Sequence, residues 1–201
     1  MNRKEIKIWS KDKIKGKIWK VLPAIFVASI ITNLSFFIDI HSTRVTLPVG
    51  SIIFYFVEVG LTLFMINFIT DKEYKIDDLF TTSKEIKKYM IFGLVKYLYI
   101  FLWTLLFIIP GIIKSFAYSM SDLLLLDEKY KDLKETDILK KSKEIMKGHK
   151  GELFLLELSF IGWHILAVFT LFILEIWIVP YEQTAKTKYL YNLKNEYENN
   201  I

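Results

Sequence analysis

The sequence has no cysteine and only three histidines among its 201 residues. The lack of cysteine excludes a disulfide-stapled scaffold and removes one common catalytic nucleophile. No H-E-x-x-H pair, P-loop or G-x-G-x-x-G sequence occurs, so the usual motifs for zinc hydrolysis, phosphate binding and dinucleotide binding are missing. We therefore predict a protein that is not an enzyme and that holds no cofactor and no metal.

What the chain does have is a segregated composition. Hydrophobic residues make up 53% of it, yet it also carries 27 basic and 22 acidic residues. A soluble domain mixes these groups with the period of a helix or strand, whereas here they fall into long apolar blocks and short lysine-rich blocks. This segregation is typical of an integral membrane protein. It predicts an all-α, multi-pass transmembrane helical bundle with short interfacial amphipathic helices.

Several apolar blocks are candidates for crossing a bilayer, because about 20 apolar residues at 1.5 Å rise cover a ~30 Å hydrocarbon core. The blocks are residues 21–38, 45–70, 89–113, 115–126 and 153–181. Basic residues collect on the cytoplasmic side of a membrane. Six crossings, with turns at Pro110-Gly111 and near Phe169-Thr170, place 24 of the 27 basic residues on one face. A five-crossing alternative, in which residues 153–179 form one long helix, stays open.

The same distribution of charge predicts the location of the protein. Both termini are expected in the cytoplasm, and the membrane is expected to be the bacterial cytoplasmic membrane. Arg44 is then the only basic residue in an external loop. The pI of 9.1 reflects these cytoplasmic lysines, so no nucleic-acid partner is predicted.

The chain contains a weak internal repeat of the form S-K-[DE]-x-x-K. It begins at Ser10, Ser83 and Ser142, and each copy ends shortly before a long apolar block. This pattern predicts one integral membrane domain, residues 1–201, with a possible threefold repeat of an amphipathic helix followed by a hairpin. The repeat units would be residues 1–70, 71–126 and 127–201.

The third copy is the clearest amphipathic helix. One face carries apolar or small residues at helical spacing, which are Ile138, Leu139, Ser142, Ile145 and Met146. Four lysines lie mostly on the other face and are candidates for contact with anionic lipid, namely Lys140, Lys141, Lys143 and Lys147. Such a helix either lies in the membrane interface or packs as a lid on the cytoplasmic end of the bundle. Both interpretations stay open.

Ionisable residues inside the apolar blocks are the candidates for a functional site, because each is costly in hydrocarbon and needs a partner or water. The possible intramembrane polar site consists of Glu58, Lys96, Glu157 and His164. Glu58–Lys96 or Glu157–Lys96 would form a switchable pair, and the seven-residue spacing of Glu157 and His164 puts them on one helix face. Two structural roles are the alternatives. The charges either form buried ion pairs that fix the helix register, or they lie near the ends of the apolar blocks and extend to the membrane interface.

Several segments resemble a Gram-positive integral membrane family whose domain is known as domain of unknown function 975. They are residues 2–7, 109–120, 147–154, 158–163 and the Pro180-Tyr181 pair. One departure is residues 170–173, Thr-Leu-Phe-Ile, where the family usually has glycines at a turn. The resemblance implies a multi-pass membrane architecture and no established activity.

Two functions remain as hypotheses. The first is a non-catalytic membrane protein that organises lipid or binds a partner through its lysine-bearing inner face. Its partners would be the lipid bilayer, with anionic lipids at the cytoplasmic face, and a protein partner or a second copy of the chain. The second is a small transporter or permease-like component built around the intramembrane charges.

Overall fold

The structure is a computed structural model that describes the backbone of residues 2–42, 55–106 and 108–199, with the side chains of those residues except 33–42, 83, 84, 105, 106 and 108. Every regular element in this part of the chain is helical, which confirms the predicted all-α class. The α-helices are α1 (Arg3–Ile14), α2 (Ile18–Ser42), α3 (Tyr55–Ile69), α4 (Asp78–Thr81), α5 (Ile86–Leu106), α6 (Ile108–Ala117), α7 (Ser121–Leu125), α8 (Glu135–Ile145), α9 (Lys150–Phe169) and α10 (Glu175–Asn199). Two short 3₁₀ segments, Thr82–Glu85 and Glu128–Tyr130, join them.

By length and composition, one helix of the described residues is able to cross a membrane, and it is α9. Two shorter apolar helical segments, Ile18–Thr32 and Tyr55–Ile69, lie in α2 and α3. The described parts of the predicted blocks are therefore mainly helical, but the structure does not establish six spans. The predicted external loop with Arg44 lies outside the described residues.

The chain reverses between α5 and α6, but not at Pro110-Gly111 as the sequence predicts. Both residues lie inside the first turn of α6, which begins at Ile108. A Cβ atom on Gly111 would come within 2.9 Å of the Cα atom of Thr104, although seven residues of a continuous helix span about 10 Å. The helices therefore fold back on each other. Proline is tolerated in a first helical turn, so Pro110 marks the start of α6 rather than the turn.

The predicted fourth crossing, residues 111–126, is not one helix. Helix α6 ends at Ala117, a turn follows at residues 118–120, and α7 has only five residues. The ten residues of α6 rise about 15 Å, half the thickness of the hydrocarbon core. The break turns α7 into the protein, where Leu123, Leu124 and Leu125 are all buried.

The last apolar block folds as a helical hairpin. Helix α9 ends at Phe169 and α10 begins at Glu175, as the predicted turn near Phe169-Thr170 requires. The alternative of one long helix over residues 153–179 is wrong. Leu171 and Phe172 make the turn with φ angles of 51° and 64°, in the left-handed region that favours glycine.

Helix α10 is the central element of the bundle, since it packs against α1, α2, α3 and α9. The predicted amphipathic helices α1 and α8 are lids on this bundle. On α8 the whole predicted apolar face is buried, with Ile138, Leu139, Ser142, Ile145 and Met146 at most 3% exposed. On α1 the buried residues are Ile6, Ser10 and Ile14. These faces are consequently covered by protein and not by acyl chains.

The threefold repeat stays a prediction, but two of its copies share one feature. The first serine of the motif, Ser10 in α1 and Ser142 in α8, is completely buried in both. The hydroxyl of Ser142 donates to the carbonyl oxygen of Ala117 at 2.9 Å. A small residue at this position lets each lid lie close to the helix below it.

Candidate functional site

The centre of the candidate site is a buried ion pair between α5 and α7. Lys96, only 9% exposed, donates to Asp122 Oδ1 at 2.7 Å and to the Tyr55 hydroxyl at 3.3 Å. Tyr55 is fully buried and donates its own proton to Asp122 Oδ1. Lys96 therefore does not snorkel; it is held by two partners inside the protein.

Helix boundaries position these groups. Tyr55 begins the described part of α3, and Asp122 lies in the first turn of α7, where the break after α6 points it inward. The hydroxyl of Ser121 donates to the carbonyl of Tyr118 at 2.6 Å and fastens the start of α7. The interruption of the fourth apolar block thus delivers a carboxylate to Lys96.

Glu58 lies beside this pair but does not bind Lys96 directly. The Tyr97 hydroxyl donates to the Glu58 carboxylate, with distances of 3.1 and 3.2 Å to its two oxygens. Helix α5 provides Lys96 to the ion pair and Tyr97 to Glu58. Helix α3 provides Tyr55 to the ion pair and Glu58 itself, so the same two helices form both clusters. The predicted Glu58–Lys96 ion pair is not formed, because the Lys96 ammonium binds Asp122 instead.

Glu157 is also paired elsewhere than predicted. Its carboxylate lies 2.7 Å from the ammonium of Lys186, which links α9 to α10. The predicted Glu157–Lys96 pair is wrong, since α9 faces α10 here and not α5. Lys186 brings Glu157 into the same region as Glu58, because Lys186 and Glu58 line one cavity.

That cavity lies between α3, α7 and α10 and has a volume of about 350 Å³. It is partly open to the outside. Its polar lining consists of Glu58, Thr62, Ser119, Asp122, Gln183, Lys186 and Thr187. Of the four predicted site residues, Glu58 lines this cavity directly. Lys96 and Glu157 each bind a residue that lines it, Asp122 and Lys186 respectively.

His164 lies apart from this cavity in a cluster of its own. Its Nδ1 atom is 2.8 Å from Glu175 Oε1, and its Nε2 atom is 2.9 Å from Glu182 Oε2. Both ring nitrogens can donate to carboxylates only in the protonated imidazolium form. The cluster ties α9 to the first turns of α10. His164 and Glu157 share a face of α9, as predicted, but the two carboxylates hold His164 away from the Glu58 cavity.

The predicted lipid-facing lysines, three in α8 and Lys147 just after it, fall into two kinds. Lys140 pairs with Asp137 at 2.9 Å, and Lys141 contacts Glu144 at 3.3 Å and the Tyr197 hydroxyl at 2.7 Å. Lys143 and Lys147 are exposed. The positive charge that α8 offers to a ligand is thus partly neutralised by its own acids.

A second and larger concavity lies between α1 and the α9–α10 hairpin. We call it the α1 groove; its volume is about 900 Å³ and its lining is mostly apolar. On the α1 side, Lys7 places its ammonium 3.0 Å from the Ser159 hydroxyl and 4.3 Å from the ring centre of Phe160. The groove is lined by Lys7, Ile8, Lys11, Asp12, Ile14, Lys15, Gly16, Ile18, Trp163, Leu174, Trp177, Ile178 and Tyr181.

Sequence reasoning missed the partners rather than the buried charges. Asp122 was visible as the single charge of residues 115–126, and that was a signal for a buried role. Lys186 and Glu182 lie in a polar stretch that resembles an exposed tail, so nothing in the sequence marked them. Among the described residues no group of three or more His, Asp and Glu side chains could hold a metal ion.

The described residues define the class of the protein as a helical bundle that includes an apolar helix of membrane-spanning length and a cavity lined by charged side chains. The model of a family described as Protein of unknown function (DUF975) matches residues 105–197. The match covers α6 to most of α10 and confirms the family resemblance for this part of the chain. No curated protein and no solved structure matches the chain.

Proposed function

We propose that this chain is a non-catalytic integral membrane protein that binds anionic lipid in the α1 groove. The observation that carries the proposal is the composition of that groove, which combines a basic rim on α1 with an apolar wall on the hairpin. The first step is embedding in a bilayer, and the second is recognition of a head group.

Embedding is supported by the exposed apolar surface. Only 22% of the apolar window of α9 is buried, whereas the core helix of a soluble protein is mostly covered. At the hairpin tip, Phe169 is 80% and Leu171 84% exposed. Contiguous apolar surface of this kind marks contact with a membrane or another protein. We assign it to acyl chains, because α5 and α6 expose apolar residues in the same way, namely Ile91, Leu94, Leu98, Phe101, Leu102, Ile109, Ile112 and Ile113.

Recognition of an anionic head group is supported by charge. Lys7 and Lys11 are four residues apart and share one side of α1, and Lys15 directly follows the helix and also lines the groove. Asp12 is the single acid among the lining residues. Lysines at a membrane surface attract anionic lipid with about 1 kcal/mol each.

The opposite wall suits the rest of a lipid molecule. Trp163 and Trp177 are about half exposed, and tryptophan is favoured at the level of lipid head groups. Leu174 and Ile178 continue the wall toward the hairpin tip and offer an apolar path for one acyl chain. The lipid therefore lies with its phosphate on α1 and its chain on the hairpin.

Native mass spectrometry of the detergent-purified protein tests this proposal, because it resolves each retained lipid by mass. Wild-type protein is expected to retain phosphatidylglycerol in preference to phosphatidylcholine. The double substitution Lys11→Gln and Lys15→Gln should weaken phosphatidylglycerol binding by about thirtyfold, which corresponds to ~2 kcal/mol. Lys140→Gln with Lys143→Gln removes the same charge from α8 and serves as the matched control.

An equal loss in both double variants would show only general electrostatic attraction and would refute the assignment to the α1 groove. A protein without preference for phosphatidylglycerol would refute the proposal altogether. The predicted topology is tested separately with single cysteines at Ser42, Lys143 and Asn199, labelled in intact cells with an impermeant thiol reagent. If the termini and α8 are cytoplasmic, only the cysteine at position 42 reacts.

A further inference from the structure

We propose that the cavity between α3, α7 and α10 is a binding site for a small organic ammonium cation. This inference is independent of the lipid proposal. Such a site is also what the second hypothesis, a small transporter, would need for its solute.

The charges around the cavity leave one carboxylate without a direct ion-pair partner. Lys96 is taken by Asp122 and Lys186 by Glu157. Within the described part of the chain, no ammonium group lies within ion-pair distance of Glu58. When Lys96, Asp122, Lys186, Glu157 and Glu58 are all ionised, these five groups carry one net negative charge, because two ammonium groups face three carboxylates.

The hydrogen-bonding capacity of the lining points to the same ligand. Glu58 receives one proton from Tyr97, which can serve only one carboxylate oxygen at a time. Both strong donors to Asp122 reach Oδ1, so Oδ2 keeps its acceptor capacity. The hydroxyls of Thr62 and Ser119 donate to backbone carbonyls, so toward the cavity they can act only as acceptors. Gln183 and Lys186 add donors on the α10 side, whereas the side formed by α3 and α7 offers unused acceptors. That side suits a ligand that is rich in N–H donors and positively charged.

The size of the cavity favours an organic cation. About 350 Å³ lies at the lower end of the range for small-molecule sites, and it exceeds by far the ~30 Å³ of a water molecule. Leu61, Met65, Leu123 and Leu190 complete the wall. They provide an apolar surface for the carbon chain of an alkylammonium ion, and a bare metal ion would leave that surface unused.

The experiment exploits the lack of native cysteine. Thr187 is buried and lines the cavity, so a Thr187→Cys variant carries the only thiol and is reached through the cavity. Its modification rate is measured with a trimethylammonium-ethyl and a sulfonatoethyl methanethiosulfonate reagent in detergent-purified protein. The same ratio at the exposed position Asn199→Cys corrects for intrinsic reactivity. We expect the cationic reagent to be favoured by about tenfold or more at position 187, as for charge-focusing clefts.

Glu58→Gln, which keeps the size of the side chain, should bring the ratio at Thr187→Cys close to the ratio at Asn199→Cys. Glu175→Gln removes a carboxylate from the His164 cluster instead and should leave the preference intact. A neutral methanethiosulfonate reagent reports whether the cavity is still folded, because its rate should be alike in all of these variants. A cationic preference that survives in Glu58→Gln at an unchanged neutral rate overturns the proposal.

A second measurement identifies the ligand class. Propylammonium chloride should protect Thr187→Cys from the neutral reagent in a saturable manner, and sodium chloride at the same concentration should not. Equal protection by both salts would show an effect of ionic strength alone and would overturn the site for an organic ammonium ion.

Discussion

Removal of the Lys96 ammonium should be far more damaging than removal of a lysine elsewhere on the same helix. Lys96→Met leaves Asp122, whose side chain is only 20% exposed, with its charge uncompensated. Breaking a buried ion pair from one side costs about 3–5 kcal/mol. We expect the lower end, ~3 kcal/mol, because Asp122 keeps the hydrogen bond from Tyr55. Lys88→Met is the control on α5, since its partner Glu85 is half exposed and lies 3.7 Å away. A pair of that kind contributes at most about 1 kcal/mol.

The assay is reversible unfolding in mixed detergent micelles, with the free energy of unfolding measured for each variant. The double variant Lys96→Met with Asp122→Asn removes both charges, so it should recover at least ~1 kcal/mol of the loss of the single variant. This recovery separates the charge effect from a loss of packing around the lysine stem. Equal effects of Lys96→Met and Lys88→Met, or a double variant less stable than Lys96→Met, would refute the reasoning.

Three further predictions use the same measurement of unfolding free energy. Gly60→Ala should destabilise by at least ~2 kcal/mol, because its Cβ atom would lie 2.2 Å from a backbone oxygen of α4; Gly162→Ala, which meets nothing within 4 Å, should be neutral or better. Leu171→Gly should be more stable than Ile173→Gly by about 1–2 kcal/mol, since both lose an exposed apolar side chain but only position 171 has a positive φ. The free energy of unfolding should decrease as the pH falls below about 4. Burial alone would raise the pKa of Asp127, but the hydrogen bond from Lys194 holds this pKa below its ordinary value of 3.8. The stabilisation by ionised Asp127 is present above its pKa in the unfolded state and is lost as the pH falls through its pKa in the folded state. Asp127→Asn should therefore weaken the pH dependence of the free energy of unfolding.

Much of the fold follows from charge and apolarity in the sequence. Long apolar runs with few charges must bury or embed their surface, and they become α2, α3, α5 and α9. The turn between α9 and α10 could be predicted from the lysines that must return to one face, even though Leu171 and Phe172 are poor residues for it. The turn at Pro110-Gly111 was misplaced because proline is equally suited to the first turn of a helix. Sequence alone does not separate those two uses.

The candidate site was predictable only in part, for a physical reason. A charged residue inside an apolar block indicates that it has a partner in the fold. This criterion identified Glu58, Lys96, Glu157 and His164 as candidates. It does not say which partner, because that depends on how helices distant in the chain are placed against each other. Asp122 reaches Lys96 only because α6 stops at Ala117, and no local signal fixes that break.

The hairpin register connects these observations. Glu157 lies fourteen residues before Leu171, and its partner Lys186 lies fourteen residues after Phe172. The pair therefore matches an antiparallel register centred on the two left-handed residues. The ion pair agrees with this register and holds the Lys186 side chain where it lines the Glu58 cavity. Glu157 is then a positioning residue for the cavity, although it does not line it.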